Sequence, residues 1–259
     1  MSLVLVDMQD SIASITMNHA AKRNALSDAL INEILSALEE FRQQKVRVVI
    51  LRAQKGTKVW SAGHDVQELP TSHRDPLGWD DPLRKVIRKM ETFPAPIIAM
   101  IEGGVWGGAC EMVFACDIVT AAPNATFAIT PAKLGVPYNV TGMLNFLNAA
   151  SRIIVREMAF TALPIEAERA ERLGIINLVV PHEDLERFTY DVARQIARNS
   201  PLSIAVMKEQ LRILESAHAI TPRMFERLQG LRRLVYDSHD YQEGIRAFLE
   251  KRKPVFKGE

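Results

Sequence analysis

The chain has 259 residues, 47% of them hydrophobic and 24% charged, with 32 Lys and Arg against 31 Asp and Glu. That balance excludes disorder, collagen-like repeats and coiled coil, and a net charge of +1 calls for neither nucleic acid nor a membrane surface. A chain of this length buries about three-quarters of its extended surface, so a large core needs no covalent staples. Cys110 and Cys116 are the two cysteines, too few for a disulfide framework or a four-thiolate zinc site, and they fit a reducing compartment. The first ten residues carry two acids and no basic segment before the apolar run, unlike a secretory signal. No apolar run approaches the roughly 20 residues of a membrane helix. The expectation is a cytoplasmic protein.

Residues 3–6 and 12–17 are rich in Val, Ile and Leu around a polar Asp7–Ser11 stretch, which predicts a hairpin. Ser27 then precedes apolar residues at 30, 31, 34, 35, 38 and 41, the spacing of an amphipathic helix with Ser27 as N-cap. VRVVILRA reads as a strand, and VWSAGHDVQEL as a strand and small-residue turn. DDPLRKVIRKMETF reads as a helix stopped by Pro94 and Pro96. PIIAMIEG is a buried strand, GGVWGGACEMVFACD a glycine turn running into an apolar helix, and DIVTAA and TFAIT two short strands. Strand, glycine turn and helix in alternation predict an α/β layered core. From Pro201 onward, PLSIAVMKEQLRILESAHA, TPRMFERLQGLRRLVYD and HDYQEGIRAFLEKRK are helical with no strand between them. The division expected is a core over 1–200 and a helical segment over 201–259. That segment either supplies a lid or subunit contact or completes the core.

Several chemistries lack their motifs. GGVWGG has neither the glycine spacing of a dinucleotide fingerprint nor the lysine of a P-loop. There is no G-x-S-x-G elbow, and no histidine pair at metal-ligand spacing. What remains is two glycine-containing turns, Ser61–Asp65 and Gly103–Ala109, each following an apolar strand and entering a helical turn. Such turns serve close packing, or they aim two main-chain N–H groups at one developing oxyanion.

Several motifs occur together: KRNAL at 22–26, SAGHDV at 61–66, PIIAMIEGGVWGGACEM at 96–112, FAITPAKLGV at 127–136, ALPIEAERAERLGIINLVV at 162–180 and AFLEKRKPVF at 247–256. As a set they resemble the crotonase (enoyl-CoA hydratase/isomerase) superfamily nearly end to end. SAGHDVQELP, HRDPLGWDDPLR, VWGGACEM, TPAKLGVPYN and YDSHDYQEG are most similar to its decarboxylating branch. The resemblance implies an α/β fold, a spiral of ββα units followed by a C-terminal helical trimerisation segment. It implies assembly as a homotrimer or a dimer of trimers. It also implies an acyl-CoA thioester whose carbonyl oxygen sits between the main-chain amides of His64 and Gly108.

By the same resemblance CoA lies along residues 22–26 and the loop at 62–65. Lys22, Arg23, Ala25, Ala62 and Asp65 would contact it, and Lys251 would reach it, plausibly from a neighbouring subunit. Read as residue types, Lys22, Arg23 and Lys251 are equally well solvated surface charges. Trp60 and Trp106 flank the two turns and are expected to pack around the acyl pocket. No metal, biotin or nucleotide is implied, since CoA is part of the substrate.

The hydratases of this superfamily use two carboxylates. One matches Glu111, and the other falls on Pro131, which has no proton to give. Decarboxylation of methylmalonyl-CoA, and of malonyl-CoA with it, needs neither, because the enolate charge moves onto the thioester oxygen. Tyr138 matches a tyrosine beside the departing carboxylate, and Thr130 could orient the acyl group. Otherwise Tyr138 is a half-buried loop aromatic. Glu111, expensive in an apolar helix, is a proton donor, a positioning group or a structural residue. Two alternatives stand beside this reading. One is a hydratase or isomerase using Glu111. The other is a non-catalytic RNA-binding protein resting on Arg223, Arg227, Arg232 and Arg233.

Overall fold

The computed structural model describes residues 2–70, 74–217 and 219–259. Strand β1 (Val4–Gln9) pairs antiparallel with β2 (Ile12–Met17). The predicted hairpin is present, but β1 continues through Asp7 and Gln9, and the reversal is confined to Asp10 and Ser11. Among the described residues β2 is the one strand paired with β1, and β1 after Val4 is exposed, with Leu5, Val6 and Met8 beside Asp7 and Gln9 on this edge. Helix α1 (Asp28–Gln43) starts where Ser27 Oγ accepts from the Leu30 N–H at 3.3 Å, and it buries Leu30, Ile31, Ile34, Leu38 and Phe41.

β3 (Val48–Ala53) and β4 (Val59–Ser61) lead through a single 3-10 turn at Val66–Glu68 to α2 (Pro82–Glu91). Asp81 caps α2 by accepting from the Leu83 N–H at 2.9 Å, and the helix ends ahead of Pro94. β5 (Ile97–Ile101), β6 (Gly104–Trp106), α3 (Gly108–Phe114), β7 (Ile118–Ala121) and β8 (Thr126–Ala128) follow. β6 lies inside the stretch whose glycines predict a turn. Pairing with β4 and β8, distant in sequence, makes it a strand.

Next come α4 (Val140–Ala149), α5 (Arg152–Thr161), β9 (Ile165–Glu166), α6 (Ala167–Arg172), β10 (Leu178–Val179) and α7 (His182–Ala197). The three tail helices are α8 (Pro201–Glu215), α9 (Pro222–Tyr236) and α10 (His239–Leu249). His73, which opens one of the segments quoted above, and His218, inside the first predicted tail helix, lie outside the described residues.

Two sheets organise these elements. One has the order β1-β2-β3-β5-β7-β10 and the other β4-β6-β8-β9. β3, β5 and β7 enter the first sheet, while their successors β4, β6 and β8 enter the second. Each strand pair advances the chain by one place in both sheets, which is the spiral of ββα units that the motifs imply. β3 and β5 are buried on both faces. Val49, Leu51, Ala99 and Ile101 face the main core with α1 and α2, while Val48, Ile50, Ile98 and Met100 face Leu185 and Ala193 of α7. Alternation along a strand therefore splits one continuous apolar run between two cores.

The tail divides in two. α10 packs on the single 3-10 turn at Pro131–Leu134, and the Tyr241 hydroxyl donates to the Pro70 carbonyl at 2.7 Å. α8 buries no residue, and Leu202, Val206, Leu211 and Leu214 on it are exposed. Among the described residues, no helix is long and apolar enough to cross a membrane.

Candidate active site

β4, β6 and β8 are parallel neighbours, so their carboxyl ends lie side by side. Open α/β sheets bind ligands at that end of their strands. Here the turns after the three strands, bearing His64, Gly108 and Thr130, line one cavity of about 510 Å³. The two glycine turns touch main chain to main chain. Gly63 has φ 86°, and a Cβ there would collide with the Trp106 carbonyl oxygen and lie 2.9 Å from the Gly108 nitrogen. A Cβ on Gly108 would lie 3.4 Å from the His64 nitrogen. Among the described residues, neither the His64 nor the Gly108 N–H meets an acceptor. Two neighbouring, unpaired amides at the wall of a cavity form a site for a developing negative oxygen.

A hydrogen-bonded seam fixes the first turn against residues 22–26. Ala62 N–H donates to Arg23 O at 2.9 Å, Leu26 N–H to Gly63 O at 2.8 Å, and Ser61 Oγ to Asn24 O at 2.7 Å. Asn24, buried with φ 48°, donates from Nδ2 to Trp60 O at 2.9 Å and accepts the His19 N–H at 2.8 Å. Lys22 reaches Asp65 Oδ2 at 3.4 Å, and Asp65 Oδ1 accepts the Gln67 N–H at 3.1 Å. The Asp65 carboxylate, though at the cavity, is thus engaged on both oxygens.

The His64 ring lies between two acceptors. Nδ1 is 3.1 Å from Asp65 O, and Nε2 is 2.9 Å from Asp81 Oδ2. Burial disfavours a charge on this ring. The Asp81 carboxylate, the Asp65 carbonyl and Glu68 together outweigh burial, so its pKa is raised.

Glu111 is fully buried on α3. Its Oε1 pairs with the buried Arg84 guanidinium, and its Oε2 accepts the Tyr138 hydroxyl at 2.6 Å. Burial pushes the Glu111 carboxyl up to about 7, with Arg84 and Tyr138 pulling the other way. Burial also raises the Tyr138 pKa well above its ordinary value, with Glu111 adding to it, so the phenol keeps its proton. Gly142 on α4 permits this packing, since a Cβ there would strike the Tyr138 ring and lie 2.9 Å from the Glu111 carboxyl carbon. Tyr138 also packs on Phe146, ring centroids 5.2 Å apart. Burial raises both cysteine thiols, so neither offers a ready thiolate.

Of the residues singled out in the sequence, His64, Gly108, Thr130, Tyr138, Lys22, Arg23, Ala25, Ala62 and Asp65 line the cavity together. Glu111 does not, and it meets the cavity through Tyr138. Lys251 is not in the lining either, although Phe248, which accepts the Lys251 N–H, is. Trp106 lines the cavity, whereas Trp60 is buried behind it and donates its indole N–H to Met100 O at 2.9 Å. Pro131, on which the resemblance expected the second hydratase carboxylate to fall, lines the cavity.

Sequence reasoning missed Asp81, Arg84 and Asn24. α2 buries Arg84 beside the stripe of Leu83, Val86, Ile87 and Met90, where its charge hides it among the flanking solvated cations. Arg232, offered for RNA contact, is buried and paired with Asp75, and Arg233 pairs with Asp237 at 3.0 Å.

The model of the enoyl-CoA hydratase/isomerase family matches residues 7–259. The chain belongs to that family. It is 52% identical to methylmalonyl-CoA decarboxylase of Escherichia coli K12, over 96% of this chain and 95% of that one. It is 28% identical, over the full length of both, to 2,3-dehydroadipyl-CoA hydratase of the same organism. A solved structure of methylmalonyl-CoA decarboxylase in complex with 2-nitronate-propionyl-CoA superposes with a TM-score of 0.98, at 51% identity, covering 99% of each chain. The crotonase spiral implied by the motifs is therefore the fold observed, and the similarity to the family's decarboxylating branch extends over the whole site.

Proposed function

We propose that the protein decarboxylates methylmalonyl-CoA to propionyl-CoA and CO₂, and accepts malonyl-CoA by the same chemistry. One observation carries this reading: two adjacent unpaired amides, His64 and Gly108, face a cavity whose one lining carboxylate among the described residues, Asp65, is held by Lys22 and the Gln67 N–H. The relative at 52% identity bears the same activity in its name.

In the reaction, the bond between the α-carbon and the carboxylate breaks. Its electron pair moves into the thioester, the charge gathers on the carbonyl oxygen, and CO₂ leaves. One proton then adds to the α-carbon. The two amides stabilise the charged stage more than the substrate, which is what accelerates the step. This electron sink lets the reaction proceed without metal, biotin or nucleotide. Tyr138 and Thr130 hold the carboxylate out of the thioester plane, so that the breaking bond overlaps the carbonyl system. Tyr138 donates to Glu111 when Glu111 is ionised. Once Glu111 is protonated, it donates to the Tyr138 oxygen and frees the phenol proton for the substrate carboxylate. A pKa of about 7 makes both forms abundant near neutrality.

CoA lies along Lys22, Arg23, Ala25, Ala62 and Asp65, and Lys251 serves the site of a neighbouring protomer. The unburied apolar face of α8 supports assembly into a homotrimer or a dimer of trimers. We place the enzyme in the cytosol. A hydratase or isomerase working through Glu111 is disfavoured, because Arg84 and Tyr138 hold both oxygens away from the cavity.

The test is incubation of purified protein with methylmalonyl-CoA and no added cofactor, following CO₂ and propionyl-CoA by mass spectrometry, with crotonyl-CoA in parallel. Metal-independent propionyl-CoA with inert crotonyl-CoA is the expected result. A hydrated or isomerised product from crotonyl-CoA, without decarboxylation, overturns it.

A further inference from the structure

Asp81 makes no contact with the cavity, yet it joins two parts of the site. Its Oδ1 accepts the Leu83 N–H at 2.9 Å and caps α2, and its Oδ2 lies 2.9 Å from Nε2 of His64. The other ring nitrogen of His64 faces the Asp65 carbonyl at 3.1 Å. A main-chain carbonyl and an ionised carboxylate only accept, so a ring that satisfies both must donate from both nitrogens. A ring that does so is in its imidazolium form. The charged groups around it are Asp81 from the α2 cap, Asp65 and Glu68 from its own loop, and Lys22, which meets it through Asp65.

We infer that Asp81 is a positioning residue for decarboxylation, holding His64 as an imidazolium so that the residue supplying one oxyanion amide also brings a positive charge to the enolate. Amides alone offer dipoles. A cation on the same residue, held at both ring nitrogens, is fixed before reaction, so no reorganisation is needed when the charge develops. The same tether ties the first turn to α2, whose Leu83 packs against Gly108 in the second turn. Both amides are thereby braced by one helix end. The inference rests on the decarboxylase reading and deepens it.

The experiment compares the wild type with Asp81→Asn and Asp81→Glu. Asparagine caps a helix as well as aspartate does, so Asp81→Asn removes the charge and keeps the cap. The His64 ring is followed by NMR across pH. Binding of 2-nitronate-propionyl-CoA, an anion with the shape of the enolate, is compared with binding of propionyl-CoA. In Asp81→Asn the ring should lose its proton at lower pH than in the wild type. Nitronate binding should weaken about tenfold, while propionyl-CoA changes less than about twofold. The turnover number should fall with KM nearly unchanged, and the high-pH limb of the rate profile should move to lower pH. Asp81→Glu should recover part of the loss. A ring titration identical in wild type and Asp81→Asn overturns the inference whatever the activity. Equal losses for both ligands overturn it too, reducing Asp81 to scaffold. A wild type that fails to decarboxylate sinks the enzyme assignment instead, and the ring titration still decides whether Asp81 holds the charge.

Discussion

The site has two halves built on different principles. In the proposed reaction the oxyanion half, at the ends of β4 and β6, works through main chain. Its geometry follows from strand order, the seam to residues 22–26 and a glycine that lets two turns touch. The carboxylate half, Glu111 with Arg84 and Tyr138, works through buried side chains whose charges must be balanced against burial. The first is insensitive to most side-chain substitutions at the donor positions, since every residue except proline has a main-chain N–H. The second changes character with one residue. A family that shares a thioester substrate and varies its reaction can keep the first half and exchange the second. On the proposed reading Arg84 is how this chain does so, by engaging the carboxylate that one-base chemistry would need.

The comparison breaks most sharply at Gly63. Gly63→Ala forces a Cβ toward the Trp106 carbonyl and an unfavourable φ, so the turns must separate. Losing one oxyanion donor typically lowers turnover by about 10²–10³. The expected outcome is a loss of that size with acyl-CoA still bound, measured by steady-state rates and calorimetry. A variant with near-normal turnover would show that these amides are not the electron sink.

In the other half, the Arg84–Glu111 pair should show its loss first in stability. Arg84→Met leaves a buried carboxylate without its cation, a change that typically costs about 3–5 kcal/mol. The pH dependence has a definite sign. Glu111 has its folded pKa raised to about 7 from 4.5, so the folded state holds more protons over that interval and stability falls as pH rises through it. Without Arg84 the folded pKa rises further and the decline continues above pH 7. Urea unfolding at pH 6 and pH 8.5 should therefore show the gap between variant and wild type widening at the higher pH. A gap independent of pH would mean that Glu111 does not carry the charge.

Tyr138 links the halves. Tyr138→Phe keeps the ring on Phe146 and removes the one hydroxyl that bridges Glu111 and the cavity. Decarboxylation should drop about tenfold or more while propionyl-CoA affinity stays within about twofold. Equal losses in rate and product affinity would make Tyr138 a packing residue.

How far these halves can be read from sequence differs for the same reason. The oxyanion turns announce themselves through glycines and the apolar strands before them, because their conformations are local requirements. So do the Ser27 cap and the proline stop after α2. β6 is hidden, since a strand of three residues exists only through partners far along the chain. Arg84 is hidden too. In LRKVIRKM it reads as one of several solvated cations, and only the packing of α2 against α3, with Arg84 on the buried face, makes it the counter-ion of a residue 27 positions away. Glu111 itself is conspicuous in an apolar helix, but the sequence does not say that it faces Arg84 and Tyr138 instead of substrate.

The mildest test concerns the entrance, where the main-chain seam meets solvent. Lys22 lines the cavity with its side chain about half exposed, and its partner Asp65 is 3.4 Å away. An exposed cation of this kind interacts with phosphate through screened water, where single pairs contribute up to about 1 kcal/mol. Lys22→Ala should therefore raise KM for the CoA thioester by less than about fivefold and leave the turnover number alone. The difference should shrink as salt is added. A fall in turnover would carry a different meaning. It would show that the Lys22–Asp65 pair helps hold the His64 turn in place, extending the oxyanion half out to the CoA entrance.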